Sequence, residues 1–219
     1  MILSGEIKIG DRVREQLIAA QLGVSRGPVR EATSALERSG LLTSIANRGV
    51  FVRVVSTEEL LELYDMRALL TGFACALIAS TGSDAHKARL EDLVKTMGEA
   101  LESGDGPRYY QTNLDFHAAL MELSEHRKAA QIYDTLLKEA HLSRRDVLSA
   151  PSMMDQSNAE HEAIVQAIRV GDAARARELG ERHVLNGKRR LLASLDKAKT
   201  NAESGHEDSS RRIPCQRVT

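Results

Sequence analysis

Four side chains of this 219-residue chain are of types that could hold a metal ion if the helices that carry them converge. Asn113 and His117, in the run NLDFHAAL, are four residues apart and project from one helix face. His161, in AEHEAIVQAI, and His183 each belong to a separate helical stretch. Three imidazoles and an amide from three helices can converge inside a bundle. Imidazole suits Zn, Ni, Fe and Cu, and an oxygen ligand widens the range to Mn. Taken singly, a helical histidine is more often a hydrogen-bonded or surface residue, and His86, His126, His141 and His206 are read that way. Asp115 points about 160° away from Asn113 on a helix and is a poor substitute for it.

A second group of chemical residues sits near the N-terminus, in GVSRGPVREA. Arg26 and Arg30 share a helix face at the end that enters the major groove in helix-turn-helix docking. Arginine can bridge guanine O6 and N7 with two bonds. Ser25 and the first backbone N–H groups suit a phosphate, and Gly27 lets backbone approach closely. Arg48 and Gly49, further on, can reach phosphate or the minor groove. The plainer alternative for each arginine is a solvated helix face.

The elements that must position these groups are legible. Residues 11–23 read as a helix with Val13, Leu17, Ile18 and Leu22 on one stripe, closed by Gly23. Ser25 opens a second helix with Val29, Ala32, Ala35 and Leu36 as its apolar face, ending at Gly40. Two β-prone runs, Leu41–Ile45 and Val50–Val55, flank Asn47-Arg48-Gly49, a hairpin tip. Together these make a winged helix-turn-helix. From Ser56 the pattern becomes six long helices, opened by Ser56 with Glu59, Ser83 or Asp84, Asp105 with Pro107, about Arg127, Pro151 and Asp172, the last ending near Leu195. The fold class is therefore mainly α. Residues 1–55 form the winged head, 56–195 an antiparallel six-helix bundle, and 196–219 a polar, aperiodic, disordered tail.

The string DRVREQLIAAQLGVSRGPVREATSALERSGLL…NRGVFV resembles the winged-helix head of the GntR regulators. The helical part resembles the FCD effector domain of the FadR subfamily, in its six-helix, VanR-like branch. The resemblance implies that Asn113, His117, His161 and His183 form a divalent transition-metal site, with Zn, Ni or Mn as candidates. It implies that Arg67, in YDMRALL, pairs with a small carboxylate effector; the alternative is an ion pair with Glu62 or Asp65. It implies a homodimer that places one head on each half of an operator in double-stranded DNA. It also implies a helix before ILSGEIKIGDRV, of which only Met1–Leu3 stand here, so the remaining two helices should expose an apolar face.

The composition fits. The formal net charge is −1, yet residues 1–54 carry +3 and residues 55–195 carry −5, the asymmetry of a head that meets a polyanion. Aromatics are 3%, which argues against a β-sandwich or a base-stacking sheet. No apolar run approaches the roughly 20 residues a membrane helix needs, and no secretory signal is present, so a cytoplasmic protein is expected. Cys75 reads as core and Cys215 as an inert tail thiol. His161-Glu162 begins like HExxH, but position 165 is Val; there is no P-loop, GxGxxG or nucleophile elbow, so no enzyme is expected. The function expected is a ligand-responsive transcriptional repressor, with transmission through the helix that follows the wing. The alternative is a metal- or effector-binding bundle whose shortened head no longer binds DNA.

Overall fold

The computed structural model describes residues 1–2, 6–144 and 151–209; for 141–144, 151–152 and 197–209 it describes backbone only. In the head, α1 (Glu15–Leu22) ends at Gly23 with φ 66°, and α2 (Arg26–Arg38) follows. The hairpin of β1 (Leu42–Ile45) and β2 (Gly49–Val52) pairs Leu42 with Val52 and Ile45 with Gly49. Its tip takes positive φ at Asn47 (60°) and Gly49 (105°), the conformation those residue types were expected to supply.

Three local expectations change. The stretch before α1 is extended, not helical: Val13 N–H donates to Val50 and Val52 N–H donates to Asp11, so residues 10–13 line the free edge of β2. An open strand edge offers backbone partners that helical periodicity cannot reveal. Val13 is still buried, with Leu41, Leu42 and Val52, whereas Leu17 and Leu22 are 57% and 59% exposed. In α2, Ala32 and Ala35 face solvent, and Thr33 is buried instead, its hydroxyl donating to Glu15 at 2.7 Å.

The bundle comprises α3 (Thr57–Thr81), α4 (Asp84–Glu102), α5 (Gly106–Leu123), α6 (Arg127–Arg144), α7 (Pro151–Arg169) and α8 (Ala173–Ser209). The N-termini of α3, α4, α5 and α8 are held by side-chain caps: Ser56 accepts from Glu59 N–H, Ser83 from His86, Asp105 from Arg108 and Asp172 from Arg175. Ser83, not Asp84, is thus the cap of α4. The last helix continues past Leu195 to Ser209, so the expected tail is helical over 196–209. Residues 210–219, including Cys215, lie outside the described residues.

Helix α3 runs through the middle of the bundle, against α8, α6, α5 and α7. Contrary to the sequence expectation, it is long and apolar enough to cross a membrane by length and composition; more than half of that stretch is buried inside the bundle. Cys75 on α3 is fully buried, and burial pushes its thiol up to about 12. Where α3 meets α8, the helices approach closely at Gly72 and Gly180: a Cβ on Gly180 would lie 2.9 Å from Cys75 Sγ and 3.2 Å from Gly72 Cα. A Cβ on Gly72 would lie 2.8 Å from the Arg177 carbonyl oxygen, which is backbone and cannot swing aside.

This contact yields a prediction. Overpacking costs about 1–3 kcal/mol, more than the roughly 1 kcal/mol that Ala gains over Gly in a helix. Gly72→Ala should lower the thermal midpoint of the full chain in a circular-dichroism melt. An unchanged or raised midpoint would show that the helices have slack there.

Candidate metal centre and nucleic-acid face

The caps of α5 and α8, and the rigid α3–α8 contact, set where three histidines meet. His117 on α5, His161 on α7 and His183 on α8 are 6%, 0% and 5% exposed. Their ligand nitrogens all lie within 4.8 Å of one another. His161 Nε2 is 3.1 Å from His183 Nε2, which is 3.3 Å from His117 Nε2. Zn–N bonds of 2.0–2.1 Å in a tetrahedron place neighbouring nitrogens about 3.3 Å apart. The residues therefore fit a divalent ion.

The protonation states agree. Burial, then the charges of His183, His117 and Arg190, push His161 well below its ordinary value. Burial also lowers His183, outweighing the opposing pull of Glu160. Both rings are therefore neutral near pH 7, the ligand-competent form. His183 Nδ1 stands 2.7 Å from Glu160 Oε2. Burial pushes the Glu160 carboxyl up, but the bonds from His183, Arg190 and Asn186 outweigh it and hold it at about 2. An ionised carboxylate only accepts, so the His183 proton sits on Nδ1 and the Nε2 lone pair faces the other two rings. A carboxylate behind a ligating histidine fixes tautomer and orientation in this way.

Glu160, Asn186 and Arg190 are functional residues that the sequence reading missed. Arg190 meets both Glu160 oxygens at 3.0 and 3.1 Å, and Asn186 donates to Oε1 at 2.8 Å. A signal existed for two of them: Asn186 and Arg190 follow His183 by three and seven residues, on one face of α8. Glu160 precedes His161 yet serves His183, which no spacing rule on one helix could show.

Asn113 is half-buried and lines the same pocket as His117, His183 and Arg67. Asp115 is exposed and accepts from Gln111 instead. Arg67 is 3% exposed. The surface ion pair weighed for it does not form: Asp65 is taken by Lys188 at 2.6 Å. Its Nη2 donates to Tyr133 Oη at 3.2 Å, and its guanidinium lies over the Tyr64 and Tyr133 rings. Its Nε and Nη1 are buried with no hydrogen-bond partner among the described residues. A buried cation with its Nε and Nη1 unbonded, beside the Tyr64 and Tyr133 rings, has the chemistry to meet an anion.

In the head, Arg26, Gly27 and Arg30 are exposed at the start of α2, and Ser25 holds the cap position without a side-chain cap bond. A Cβ on Gly27 would meet nothing within 4 Å, so that face is open. Arg48 lies over the Phe51 ring at the hairpin tip, and the Arg12 side chain packs where a Cβ on Gly49 would be. Arg12 and Arg14, which the sequence reading did not single out, line one groove with Arg26 and Arg30. None of these five arginines forms an ion pair among the described residues. Unneutralised guanidinium charge on one face is the footprint of a phosphate-binding surface.

The lowered histidines predict a pH dependence. Unfolded histidine takes up a proton near pH 6.5 while His161 and His183 in the fold resist it. The unfolded state then binds more protons, so stability is full above about pH 6.5 and falls as the pH drops below it. Glu160 adds a further loss from its ordinary value near 4.5 down to about 2. Thermal midpoints of chelator-treated protein should fall between pH 7 and 5, and less so in His161→Ala. A flat profile in both would contradict the buried, neutral imidazoles.

Similarity to known proteins agrees with this layout. Residues 62–186 match the FCD domain, and residues 1–52 match bacterial regulatory proteins of the gntR family. The chain is 33% identical over 144 residues to the Nta operon transcriptional regulator of Aminobacter aminovorans, covering 66% of this chain and 68% of that protein. It is 27% identical over 194 residues to the transcriptional repressor GlaR of Escherichia coli K12, covering 84% and 87%. The E. coli McbR/YncC structure superimposes with a TM-score of 0.73 at 22% identity, over 88% of this chain and 92% of that one, a likeness of fold. A GntR regulator structure from Rhodococcus sp. RHA1 gives 0.70 at 26% identity over the same shares. With a winged head and an FCD bundle joined in this order, the chain belongs to the GntR family of transcriptional regulators.

Proposed function

We propose that this regulator is a ligand-responsive repressor whose bundle senses a small organic carboxylate at a metal site. The observation that carries the reading is a cluster of three converging histidines, two of which, His117 and His183, line a pocket with Arg67, whose Nε and Nη1 make no hydrogen bond among the described residues. His117, His161 and His183 would hold the ion, with Asn113 at hand as an oxygen ligand. A divalent transition ion there, Zn, Ni or Mn, would supply a fixed positive charge for an anionic oxygen. Glu160 keeps His183 in the ligating tautomer, and Arg67 offers the effector paired N–H donors. The rings of Tyr64 and Tyr133 help exclude water from that pair and so strengthen it.

On the DNA side, Arg26 and Arg30 read base edges from the major groove, with Ser25 and Gly27 close to the backbone. Arg48 and Gly49 on the wing, together with Arg12 and Arg14, meet phosphate or the minor groove. A homodimer would set two heads on the half-sites of a near-palindrome, in the cytoplasm. The effector must favour one head arrangement over another, since equal affinity for both shifts nothing.

Exposed Leu17 and Leu22 on α1, with Ile9 before it, favour a second reading: a head packed too little to hold α2 on DNA, above a working sensor bundle. Gel retardation with DNA from upstream of the chain's own gene separates the two. The regulator reading expects a shift with a steep salt dependence, and the second reading expects none. Arg30→Ala should weaken specific binding by about 1–3 kcal/mol and leave zinc content unchanged. Arg14→Ala should flatten the salt slope by about one without relaxing sequence preference. His161→Ala should lose zinc in elemental analysis and still retard DNA. Zinc retained in His161→Ala would overturn the site.

A further inference from the structure

We propose that the seam between α3 and α6 couples the pocket to the head through two polar rungs, one at each end. This rests on reading the pocket as the effector site. The pocket rung is the bond from Arg67 on α3 to Tyr133 on α6, 3.2 Å long and fully buried. The head rung is Arg53, the residue that follows β2. Its backbone N–H donates to the Leu41 carbonyl inside the head at 3.0 Å. Its guanidinium leaves the head and binds both bundle helices, Glu59 of α3 and Glu139 of α6, the latter at 2.9 Å.

Glu139 also touches the head directly. It lies against Gly40, the turn that enters β1, where a Cβ would come within 2.6 Å of Glu139 Oε1. Gly40 has φ +74°, so the turn needs glycine for its backbone conformation as well as for this approach. Between the two rungs the seam is filled by Leu60, Leu63 and Tyr64 of α3 and Leu136 of α6, with Ala140 just beyond the head rung. Tyr133 and Glu139 stand six residues apart on one helix, about 9 Å of rise.

Close-packed seams shift between discrete arrangements rather than deform smoothly. Arg67 keeps two donors for an incoming anion while its third nitrogen holds Tyr133. An anion that draws the guanidinium into the pocket weakens the Tyr133 bond and lets α6 slide against α3. Glu139 then moves relative to Glu59, and Arg53 cannot keep both carboxylates while Glu139 stays on Gly40. The head loses its anchor to the bundle. The anion acts through a difference in affinity for the two arrangements, and that difference arises at Arg67.

The test is a double-mutant cycle read by hydrogen–deuterium exchange on the full chain, without effector or DNA. Tyr133→Phe removes the acceptor and keeps the ring; Glu139→Gln weakens the head rung. Each alone should speed exchange in peptides covering residues 39–55 by roughly fivefold, the scale of an ordinary side-chain coupling. Together they should add little beyond either. Exchange in the interior of α4 should stay unchanged. The proposal is overturned if Tyr133→Phe leaves the head untouched, if its effect is the same size with and without Glu139→Gln, or if α4 speeds up equally. Zinc titration of the unsubstituted chain reads the sensor site separately: tight binding with a failed cycle sinks the seam alone, and no binding with a successful cycle sinks the sensor reading alone.

Discussion

Three imidazole Nε2 atoms, buried together and converging on one another, constrain the bundle more than any other feature. Desolvation keeps His161 and His183 from charging, and Glu160 holds the His183 proton on the far side of its ring. Neutral rings with converging Nε2 atoms cannot satisfy one another fully, because each contact needs a proton that at most one partner can give. Such a cluster is costly in an apolar interior unless an electrophile sits at its centre. Its survival among core residues such as Phe116 and Ile164 is a cost in stability that a function must offset.

The surrounding charges are arranged around that centre. Arg190 and Asn186 hold Glu160, Glu160 holds His183, and Arg67 waits across the pocket with donors to spare. All of these depend on α8 lying hard against α3, which the Gly72–Gly180 contact permits. Elsewhere in the bundle, Arg89, Arg108, Arg169, Arg175, Arg177 and Arg182 are matched with glutamates. In the head, Arg12, Arg14, Arg26, Arg30 and Arg48 form no ion pair among the described residues, a difference from the bundle arginines just named. That difference is what a polyanion would feel.

Local chemistry was readable and tertiary chemistry was not. Ser56, Ser83, Asp105 and Asp172 announce helix starts because a cap is made within three residues, and Asn47 and Gly49 announce a hairpin because positive φ is a single-residue property. The histidine trio was legible as three helical positions, and its convergence required knowing which helices touch. Residues 10–13 misled because their hydrogen-bond partners lie on β2, some forty residues away. Ala32 and Ala35 looked like core positions, but Thr33 is buried instead because Glu15 of α1 supplies its partner. Arg67 left two alternatives open that only burial could separate, and Glu160 gave no sign of its role because its target lies on another helix.

X-ray absorption at the metal edge of the purified, zinc-loaded chain tests the central claim most directly. Three imidazole scatterers at about 2.0–2.1 Å, joined by one or more oxygen ligands, are the shell this geometry predicts. A shell of sulfur or of carboxylate and water oxygens alone, with no imidazole signature, would place the ion elsewhere and contradict the account.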